Sequence, residues 1–449
     1  MTWSVESRHH RHSGVPWLGP IPSHWGTAPL KYHLGLVNGL AFKPSEWSDT
    51  GVPIIRIENL NGSLEFNYAT TTAPSTYHVV EGDLLFAWSG NRGTSFGPFT
   101  WLLQGLHYLN QHIFRVENTR FDQRWLYWTL KALTAYVESQ AHGIIGLVHI
   151  TRDDLGAIAI PLLPVEEQRQ IRVFLDRETA EIDALTDKKE RLITLLEEKR
   201  AALINRAATK GLDPTAQMKD SGIPWLGRVP ANWTLAPIGS RYSVQLGKML
   251  DSNRITGEHL APYLRNVDVQ WDRINAEDLP EMDFRPDDQD RYRLRWGDLL
   301  VCEGGEAGRC AAWDSPIPEC FYQKALHRLR PLTPSEHPRF LYYCLRAAAG
   351  AGLFTAEGNP NTIDHLTAEK LRKHRFPFPT GAEQAEIAAA LDRETARIDA
   401  IIAKTRGQIA KFHEYRTALI SAAVTGKIDV RDRRAPSAEF DKHSRIDEH

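Results

Sequence analysis

Polar loops in each half of the sequence carry side chains that suit hydrogen bonding to a nucleic acid. Residues 88–94 include Asn91 and Arg92 beside glycines, and residues 303–309 combine glycines with Arg309. Arg and Asn hydrogen-bond base edges and phosphates, and glycines let a backbone approach its partner closely. For any single residue a surface ion pair is the alternative. The pattern therefore predicts a binding surface rather than individual contacts.

Motifs for bond-making chemistry are absent from the sequence. It contains neither a GxxxxGK[ST] phosphate loop nor a glycine-rich turn between a strand and a helix. Asp83 and Asp298 recur in Gly-Asp-Leu-Leu segments, which suggests an acid/base pair as one interpretation. A carboxylate after glycine more often accepts hydrogen bonds from backbone amides of its own turn. We therefore predict that both aspartates are structural.

Cysteine usage and net charge limit the function further. The 4 cysteines all lie in the second half, and their spacing matches neither a CxxC pair nor a zinc ribbon, so buried, reduced thiols without metal are expected. The histidine-rich residues 8–12 are expected to form a solvated arm, with a metal site as the alternative. A formal net charge of -2 is low for a nucleic-acid-binding protein, although a neutral total can conceal local basic surface.

The chain is an internal repeat. Ser13–Gly19, followed by Trp25, recurs as Ser221–Gly227, followed by Trp233. Proline and glycine in this opening predict a fixed turn whose Trp packs on the domain behind it. Each repeat runs from this turn through a globular stretch to a long helix.

The long helices contain the sequence segments that are most similar between the two repeats. Glu-Gln, then Leu-Asp-Arg-Glu-Thr-Ala and Ile-Asp-Ala, begins at Glu167 and again at Glu383. Neither proline nor glycine occurs between Pro164 and Gly211, which favours an uninterrupted helix. Apolar residues at alternating steps of four and three predict a narrow seam through which the helices bury each other. Two helices docked separately on their own domains are the alternative. The predicted seam comprises Ile171, Leu175, Ile182, Leu185, Leu192 and Leu196 in the first helix and Ile387, Leu391, Ile398, Ile401, Phe412 and Leu419 in the second.

The globular stretches are predicted to be mixed α/β domains of one plan. In the first, β-rich segments stand at residues 52–57, 83–88 and 112–116, and apolar spacing predicts a helix at 124–140. The second repeats the plan with looser wording. The predicted correspondences are Pro262–Arg265 with Pro53–Arg56, Gly297–Leu300 with Gly82–Leu85, Gln323 with Gln111, and Lys324 with His112.

Taken together, the paired Pro-Trp-Leu-Gly openings, the Gly-Asp-Leu-Leu strands, Asn110–His112 and the two helices resemble the specificity (S) subunit of type I restriction-modification systems. The resemblance covers about residues 13–430. It implies an α+β fold in which two target-recognition domains are separated by two long helices packed as an antiparallel coiled coil, with an internal pseudo-two-fold repeat. This alignment places Lys324 opposite His112, so the two domains are not expected to use that position in the same way.

The resemblance also implies partners and their cofactors. Two methyltransferase (M) subunits and restriction (R) subunits would assemble on a non-catalytic chain, so S-adenosylmethionine, ATP and magnesium would belong to those partners. No apolar run approaches the ~20 residues of a membrane span. The chain is expected in the cytoplasm of a bacterium or archaeon.

We therefore predict a reader of double-stranded DNA with a split, asymmetric target; the alternative is a structural scaffold that joins two protein-binding modules. The predicted boundaries are 1–160 for the first recognition domain, 161–212 for the first helix, 213–376 for the second domain, 377–430 for the second helix and 431–449 for a polar, disordered tail. The predicted DNA contacts are Lys43, Asn91, Arg92 and Gln111 in the first domain and Lys248, Arg265, Arg309 and Lys324 in the second.

Overall fold

Two compact units make up the chain. The computed structural model describes residues 9–91, 93–118, 120–140, 147–249, 255–315, 317–354 and 366–430. The first unit combines residues 1–188 with 407–449, and the second is residues 189–406. Arg92 and the predicted tail lie outside the described residues.

The first globular domain is built on two sheets. Its strands are β1 (His10–His12), β2 (Pro20–Pro22), β3 (Gly26–Pro29), β4 (Leu34–Asn38), β5 (Trp47–Ser48), β6 (Val52–Ile55), β7 (Asn67–Ala69), β8 (His78–Val79), β9 (Leu84–Ala87), β10 (Ser89–Asn91), β11 (Gly97–Thr100), β12 (His107–Leu109), β13 (Ile113–Asn118), β14 (Leu147–His149) and β15 (Ala159–Leu162). An antiparallel sheet has the order β11-β9-β13-β4, and a second sheet has the order β5-β7-β6-β12-β8 with β6 and β12 parallel. β6, β9 and β13 confirm the three predicted β-rich segments.

The second domain repeats this plan. Its strands are β16 (Met218–Asp220), β17 (Arg228–Pro230), β18 (Thr234–Pro237), β19 (Tyr242–Leu246), β20 (Leu260–Leu264), β21 (Val269–Gln270), β22 (Arg273–Ile274), β23 (Glu281–Asp283), β24 (Leu299–Cys302), β25 (Cys310–Ala312), β26 (Phe321–Tyr322), β27 (Leu326–Pro331) and β28 (Arg375–Phe378). The order β19-β27-β24-β25 matches β4-β13-β9-β11, and the parallel pair β20-β26 matches β6-β12.

Helices complete both units. They are α1 (Ile57–Leu60), α2 (Gln123–Gln140), α3 (Arg152–Ala157), α4 (Val165–Lys210), α5 (Pro286–Tyr292), α6 (Pro338–Gly350), α7 (Ala368–Lys373) and α8 (Gly381–Val424). Largely antiparallel sheets with separate helices confirm the predicted α+β class. Within the described ranges, none of the helices is long and apolar enough to cross a membrane.

The repeated sheet corrects one predicted correspondence. In each domain the glycine after the edge strand (β4 or β19) donates its N–H to the carbonyl of the first residue of the neighbouring strand (β13 or β27). Counting back from those two residues pairs Gln111 with Lys324 and His112 with Ala325, whereas the sequence alignment had paired Gln111 with Gln323. The sequence is misleading here because the shared Gln is the only matching letter in the segment.

Long helices α4 and α8 pack against each other in antiparallel orientation, as the resemblance implied. In the second unit Glu197 of α4 pairs with Arg406 of α8 at 3.1 Å. One turn further along α4, Arg200 pairs with Asp399, which lies earlier in α8. Moving towards the C-terminus of α4 therefore means moving towards the N-terminus of α8, so the two helices are antiparallel.

The predicted seam is correct at its ends and wrong in its middle. Leu185, Leu192 and Ile401 are 37%, 39% and 41% exposed, whereas their neighbours Thr186 and Ile402 are buried. A straight α-helix has 3.6 residues per turn, whereas a strict seven-residue repeat assumes 3.5. The predicted positions therefore shift away from the buried face by about one residue after several turns. The buried seam residues are Ile171, Leu175, Ile182, Ile387, Leu391, Ile398 and Leu419, and Leu196 and Phe412 are partly buried.

The repeated Glu-Gln segment at the start of each long helix contacts the domain of the same repeat. The buried Gln168 side chain accepts a hydrogen bond from the Asp122 amide at 2.8 Å. Gln384 accepts the same bond from the His337 amide at 2.9 Å. Both amides lie at the start of a domain helix, α2 or α6. The repeated Gln therefore satisfies a backbone group at a helix N-terminus that has no partner within its own helix.

The aspartate of Leu-Asp-Arg-Glu-Thr-Ala makes the next docking contact. Asp176 accepts from Arg124 at 2.8 Å and from the Trp128 indole at 2.9 Å. Asp392 accepts from Arg339 at 2.7 Å and from the Tyr343 hydroxyl. Thus the helices pack against each other, as predicted, and the alternative of two separately docked helices is wrong, although each helix also contacts its own domain.

The Pro-Trp openings fix the ends of the long helices. Trp25 donates to Glu167 at 3.0 Å, and Trp233 donates to Glu383 at 2.9 Å. Residues 10–12 are largely exposed, as expected for a solvated segment, and they form strand β1 against β2. The pairing itself was not predicted, because the strand partner comes from the turn that follows.

Candidate DNA-reading surface

A glycine begins the same loop in both domains. A Cβ atom on Gly39 would lie 1.9 Å from the carbonyl oxygen of Asn110, and one on Gly247 would lie 2.2 Å from that of Gln323. Only glycine permits this approach. The close contact brings the loop after β4 or β19 beside the turn that precedes β13 or β27. Both domains therefore present these two segments, together with the residue after β9 or β24, at one end of the four-stranded sheet.

In the first domain an indole organises this end of the sheet. The Trp88 indole N–H donates to the Gln111 carbonyl at 2.9 Å and to Asn38 Oδ1 at 3.2 Å. Its ring lies 5.4 Å from the imidazole of His112. The side-chain amide of Gln111 is 3.3 Å from His112 Nε2, and both residues are exposed. The result is a surface of amide, imidazole and indole groups without a carboxylate.

Two other predicted contacts of this domain are exposed but separate. Asn91 ends β10, and its amide donates to Ser95 Oγ at 2.7 Å, which closes the polar loop. The amide of Lys43 donates to Glu46 at 2.7 Å. Among the residues that the structure describes, no hydrogen bond joins the Asn91 or Lys43 side chain to the Trp88 cluster. Arg92 lies outside the described residues.

In the second domain two lysines occupy the corresponding end of the sheet. The Lys324 amide donates to the Lys248 carbonyl at 2.9 Å, so the two residues are neighbours. The Lys248 ammonium pairs with Asp288 at 2.7 Å and lies 5.0 Å from the centre of the Phe284 ring. Lys324 is exposed. Of the two, Lys324 presents its charge outward, and Lys248 is held within the domain.

Arg265 is tied into its own turn. Its guanidinium donates to Asp268 at 2.9 and 2.8 Å, and this carboxylate raises the pKa of Arg265. The backbone amide of Arg265 also bonds to Asp268, as that of Arg56 bonds to Asn59 in the first domain. The pair therefore belongs to the shared framework, and any DNA contact would have to compete with it.

Arg309 is similarly occupied. Its guanidinium donates to the Asn266 carbonyl at 3.1 Å and lies 3.6 Å from Glu306. The side chain is largely buried, since only 15% of it is exposed. This arginine braces the loop of residues 303–309 from within.

Gly-Asp-Leu-Leu aspartates are turn carboxylates, as predicted. Asp83 accepts from the Val80 amide at 2.9 Å, and Asp298 accepts from the Arg295 amide at 2.7 Å. Buried Asp298 also accepts two bonds from Arg330. Over the described part of the chain, no group of three or more His, Cys, Asp or Glu residues is placed to hold a metal ion.

Equivalent backbone positions carry different side chains in the two domains. Trp88 donates its amide to the carbonyl of His112, and Glu303 does so to that of Ala325, which makes Trp88 and Glu303 equivalent. The differing pairs are Asn38 and Leu246, Leu40 and Lys248, Trp88 and Glu303, Gln111 and Lys324, and His112 and Ala325. We call these ten residues the reading positions. The backbone is the same at these places while the chemistry offered to a partner differs.

Sequence reasoning missed Asn38 and Trp88 as members of this surface. A signal was available for Trp88, because an aromatic residue with a polar N–H directly follows a buried strand and precedes a glycine loop. Asn38 directly precedes the glycine of the close contact. Neither signal was decisive without knowing that the two segments meet.

The comparisons with known proteins agree with this architecture. A family model described as the type I restriction modification DNA specificity domain matches residues 34–194 and 244–411. These two matches span more than half of the chain and fall on its two repeats. The chain therefore belongs to the type I restriction-modification specificity family, whose domain is described as one of DNA specificity.

Its relatives include proteins of bacteria and archaea. The chain is 22% identical to the type I restriction enzyme EcoBI specificity subunit of Escherichia coli, over 95% of this chain and 91% of that protein. It is 24% identical to the type I restriction enzyme MjaVIII specificity subunit of Methanocaldococcus jannaschii, over 92% and 95% of the two chains.

Solved structures share the fold. A chain from a study of complex assembly and conformational transition in a type I R-M system matches with a TM-score of 0.64 at 18% identity, over 91% of this chain and 99% of that one. The HsdS subunit from Thermoanaerobacter tengcongensis matches with a TM-score of 0.52 at 17% identity, over 91% and 98%.

Proposed function

We propose that this chain is a non-catalytic specificity subunit whose two domains read two different halves of a split DNA target. The observation that carries the proposal is the set of reading positions, where one backbone presents different side chains in each domain. In a major groove each base pair shows a distinct pattern of donors and acceptors, so different side chains select different sequences. Two unlike surfaces give an asymmetric target.

The chemistry of each surface indicates how it would read DNA. Gln111 and His112 offer donors and acceptors without charge, which suits base edges more than phosphates. Lys324 offers a point charge beside Lys248, which suits a guanine edge or a phosphate. Neither surface carries many free cations, in keeping with the formal net charge of -2. Strong binding to DNA therefore requires phosphate contacts from partner subunits.

The partner subunits in this proposal are two methyltransferase copies and the restriction subunits. Exposed apolar side chains on the paired helices support a protein partner there, because large apolar groups rarely face solvent together without a function. In the second unit these are Leu192, Leu195 and Ile401. S-adenosylmethionine, ATP and magnesium would be bound by those partners, and the complex would act on DNA in the cytoplasm.

Methylation mapping tests the proposal. The chain would be expressed with its proposed methyltransferase partner in a host that lacks other methylation, and the modified sites would be sequenced. We expect one motif with two unlike halves and an unspecified spacer. A continuous or symmetric motif would contradict the split reading by unlike domains. If the purified assembly showed no preference among random DNA sequences, the scaffold of two protein-binding modules would be favoured instead.

A further inference from the structure

The two repeats place a cation that has no ion-pair partner among the described residues at the same position of the domain helix. Lys131 lies on α2 two turns after Arg124, and Arg346 lies on α6 two turns after Arg339, and both arginines bond to the repeated helix aspartate. Lys131 has no hydrogen bond or ion pair to another described residue. Atom Nη1 of Arg346 is buried and likewise lacks a partner within the described residues. A buried donor without a partner, such as this atom of Arg346, is costly and requires an explanation.

A second cation, from a long helix, stands beside each of them. Burial of the ammonium group lowers the pKa of Lys131, and Arg416 of α8 lowers it further, whereas Glu138 raises it. Arg200 of α4 lines the same cleft as Arg346. These two arginines are also equivalent, because Arg416 pairs with Asp183 and Arg200 with Asp399, the aspartates of the repeated Ile-Asp-Ala word. The repeat thus builds the same two-cation arrangement twice.

The cleft around Arg346 is large enough for a segment of another protein. Its volume is about 1220 Å³, and it lies between the C-terminal part of α4, the end of α6 and the loop of residues 303–309. The guanidinium of Arg346 stacks 4.3 Å from the centre of the Trp271 ring, which fixes its direction. The exposed cations Arg206 and Lys210 also line the cleft.

The carboxylates near these cations are already engaged. In the second unit Glu197 pairs with Arg406, and Glu306 accepts from the Trp271 indole. In the first unit Glu138 accepts from the Gly93 amide at 2.8 Å, and its charge also raises the pKa of Lys131. A further anion is therefore the group that would complete each arrangement.

We propose that Lys131 and Arg346 each receive an acidic side chain or terminal carboxylate of the same partner protein, bound once at each repeat. The proposal rests on the proposed function, in which one methyltransferase binds twice. Two equivalent sites on an internally repeated chain fit two copies of one partner. The reading positions, by contrast, differ between the repeats. A duplex is stiff and convex, so its phosphates reach the half-buried Arg346 in its cleft less readily than a protruding side chain does.

Charge removal is the first test. The full-length chain would be titrated with its proposed methyltransferase partner and followed by native mass spectrometry. Lys131→Gln and Arg346→Gln should each weaken the binding of one methyltransferase copy by at least about thirtyfold and leave the other unchanged. Arg295→Gln, an exposed arginine of the same domain that does not line the cleft, is the matched control and should retain both copies. Two copies bound with unchanged affinity in both variants would overturn the proposal.

Zero-length cross-linking is the second test and does not depend on affinity. A carbodiimide joins an amine to a carboxylate in direct contact. Lys131 should link to one Asp, Glu or C-terminus of the methyltransferase, and the amine introduced by Arg346→Lys should link to the same partner residue. Links to two different partner residues, or none, would overturn the proposal.

Two further results separate this proposal from its alternatives. If Arg346→Gln lowered the affinity of the isolated chain for DNA and not for the methyltransferase, the cleft would be a phosphate site and the proposal would be wrong. If the wild-type chain bound only one methyltransferase copy or selected no DNA sequence, the proposed function itself would fail. If the wild-type chain assembled and selected DNA as proposed but the variants bound the methyltransferase normally, only this inference would be wrong.

Discussion

The two globular domains share a backbone and differ in what that backbone presents. Both begin their loops at a glycine held against a carbonyl, and both dock on their long helix through Gln168 or Gln384. At the reading positions, however, the first domain offers amide, imidazole and indole groups, and the second offers lysines and a glutamate. Contacts that repeat hold the structure, whereas the reading positions differ, and of these Gln111, His112 and Lys324 are exposed. This division separates the shared framework of the chain from the positions that we propose for recognition.

The largest effect is expected at the shared glycines. Gly39→Ala and Gly247→Ala should each lower the free energy of unfolding by at least about 3 kcal/mol, because the new methyl group would overlap a backbone carbonyl that cannot move alone. Chemical denaturation would measure the loss. Gly350→Ala is the control, since nothing lies within 4 Å of its Cβ position. Wild-type stability in either loop variant would mean that the close contact does not fix the loops.

A smaller loss is expected where the helices dock. Gln168→Ala and Gln384→Ala each leave buried backbone groups without partners, so each should cost about 1–3 kcal/mol in the free energy of unfolding. The two losses should be similar because the contacts are equivalent. Gln170→Ala in the same helix provides a comparison of equal chemistry. If one docking variant were neutral, the repeated Glu-Gln word would not have the same role in both repeats.

Variants at the reading positions should change recognition and not stability. Gln111→Ala and Lys324→Ala should each weaken binding to the specific site by about 1–3 kcal/mol if the side chain contacts a base edge. Random DNA is the control, and binding to it should change less. Relaxed selection should appear in one half of the target for each variant. Equal losses on specific and random DNA would identify a phosphate contact instead.

A further difference between the domains concerns the cysteines, which occur in the second domain only. All four are free and buried, and burial raises the pKa of Cys302 to about 11 and that of Cys320 to about 12. The thiolate is the reactive form, so alkylation of the folded protein at pH 8 should be at least ~100-fold slower than that of a free thiol. Unfolded protein is the control. Rapid alkylation of one cysteine in the folded chain would reveal local opening of the second domain.

Sequence patterns predicted the repeat, the α+β class, the long helices and the role of Asp83 and Asp298. They erred where a decision depended on fine register. The seam drifted by one residue at Leu185, Leu192 and Ile401, because 3.5 and 3.6 residues per turn cannot be distinguished over a few turns of sequence. The alignment of Gln111 slipped by one residue because the domains share few letters.

Site residues were the hardest to predict, since the residue type does not show whether the side chain already bonds to a group of its own domain. Arg265 and Arg309 have the chemistry of DNA contacts, yet the structure ties both to groups of their own domain. Trp88 and Asn38 become a surface only when the ends of two strands meet. Whether any predicted residue contacts DNA remains a prediction.

Duplicating one domain tests the division between framework and recognition most directly. Residues 28–160 would be replaced by a second copy of residues 235–376, and the methylated sites of a host expressing the variant with its methyltransferase would be sequenced. The account predicts that the target half read by the second domain is unchanged and that the other half becomes its equivalent, which gives a symmetric motif. An active variant that still methylates two unlike halves would contradict the claim that each domain reads its half independently.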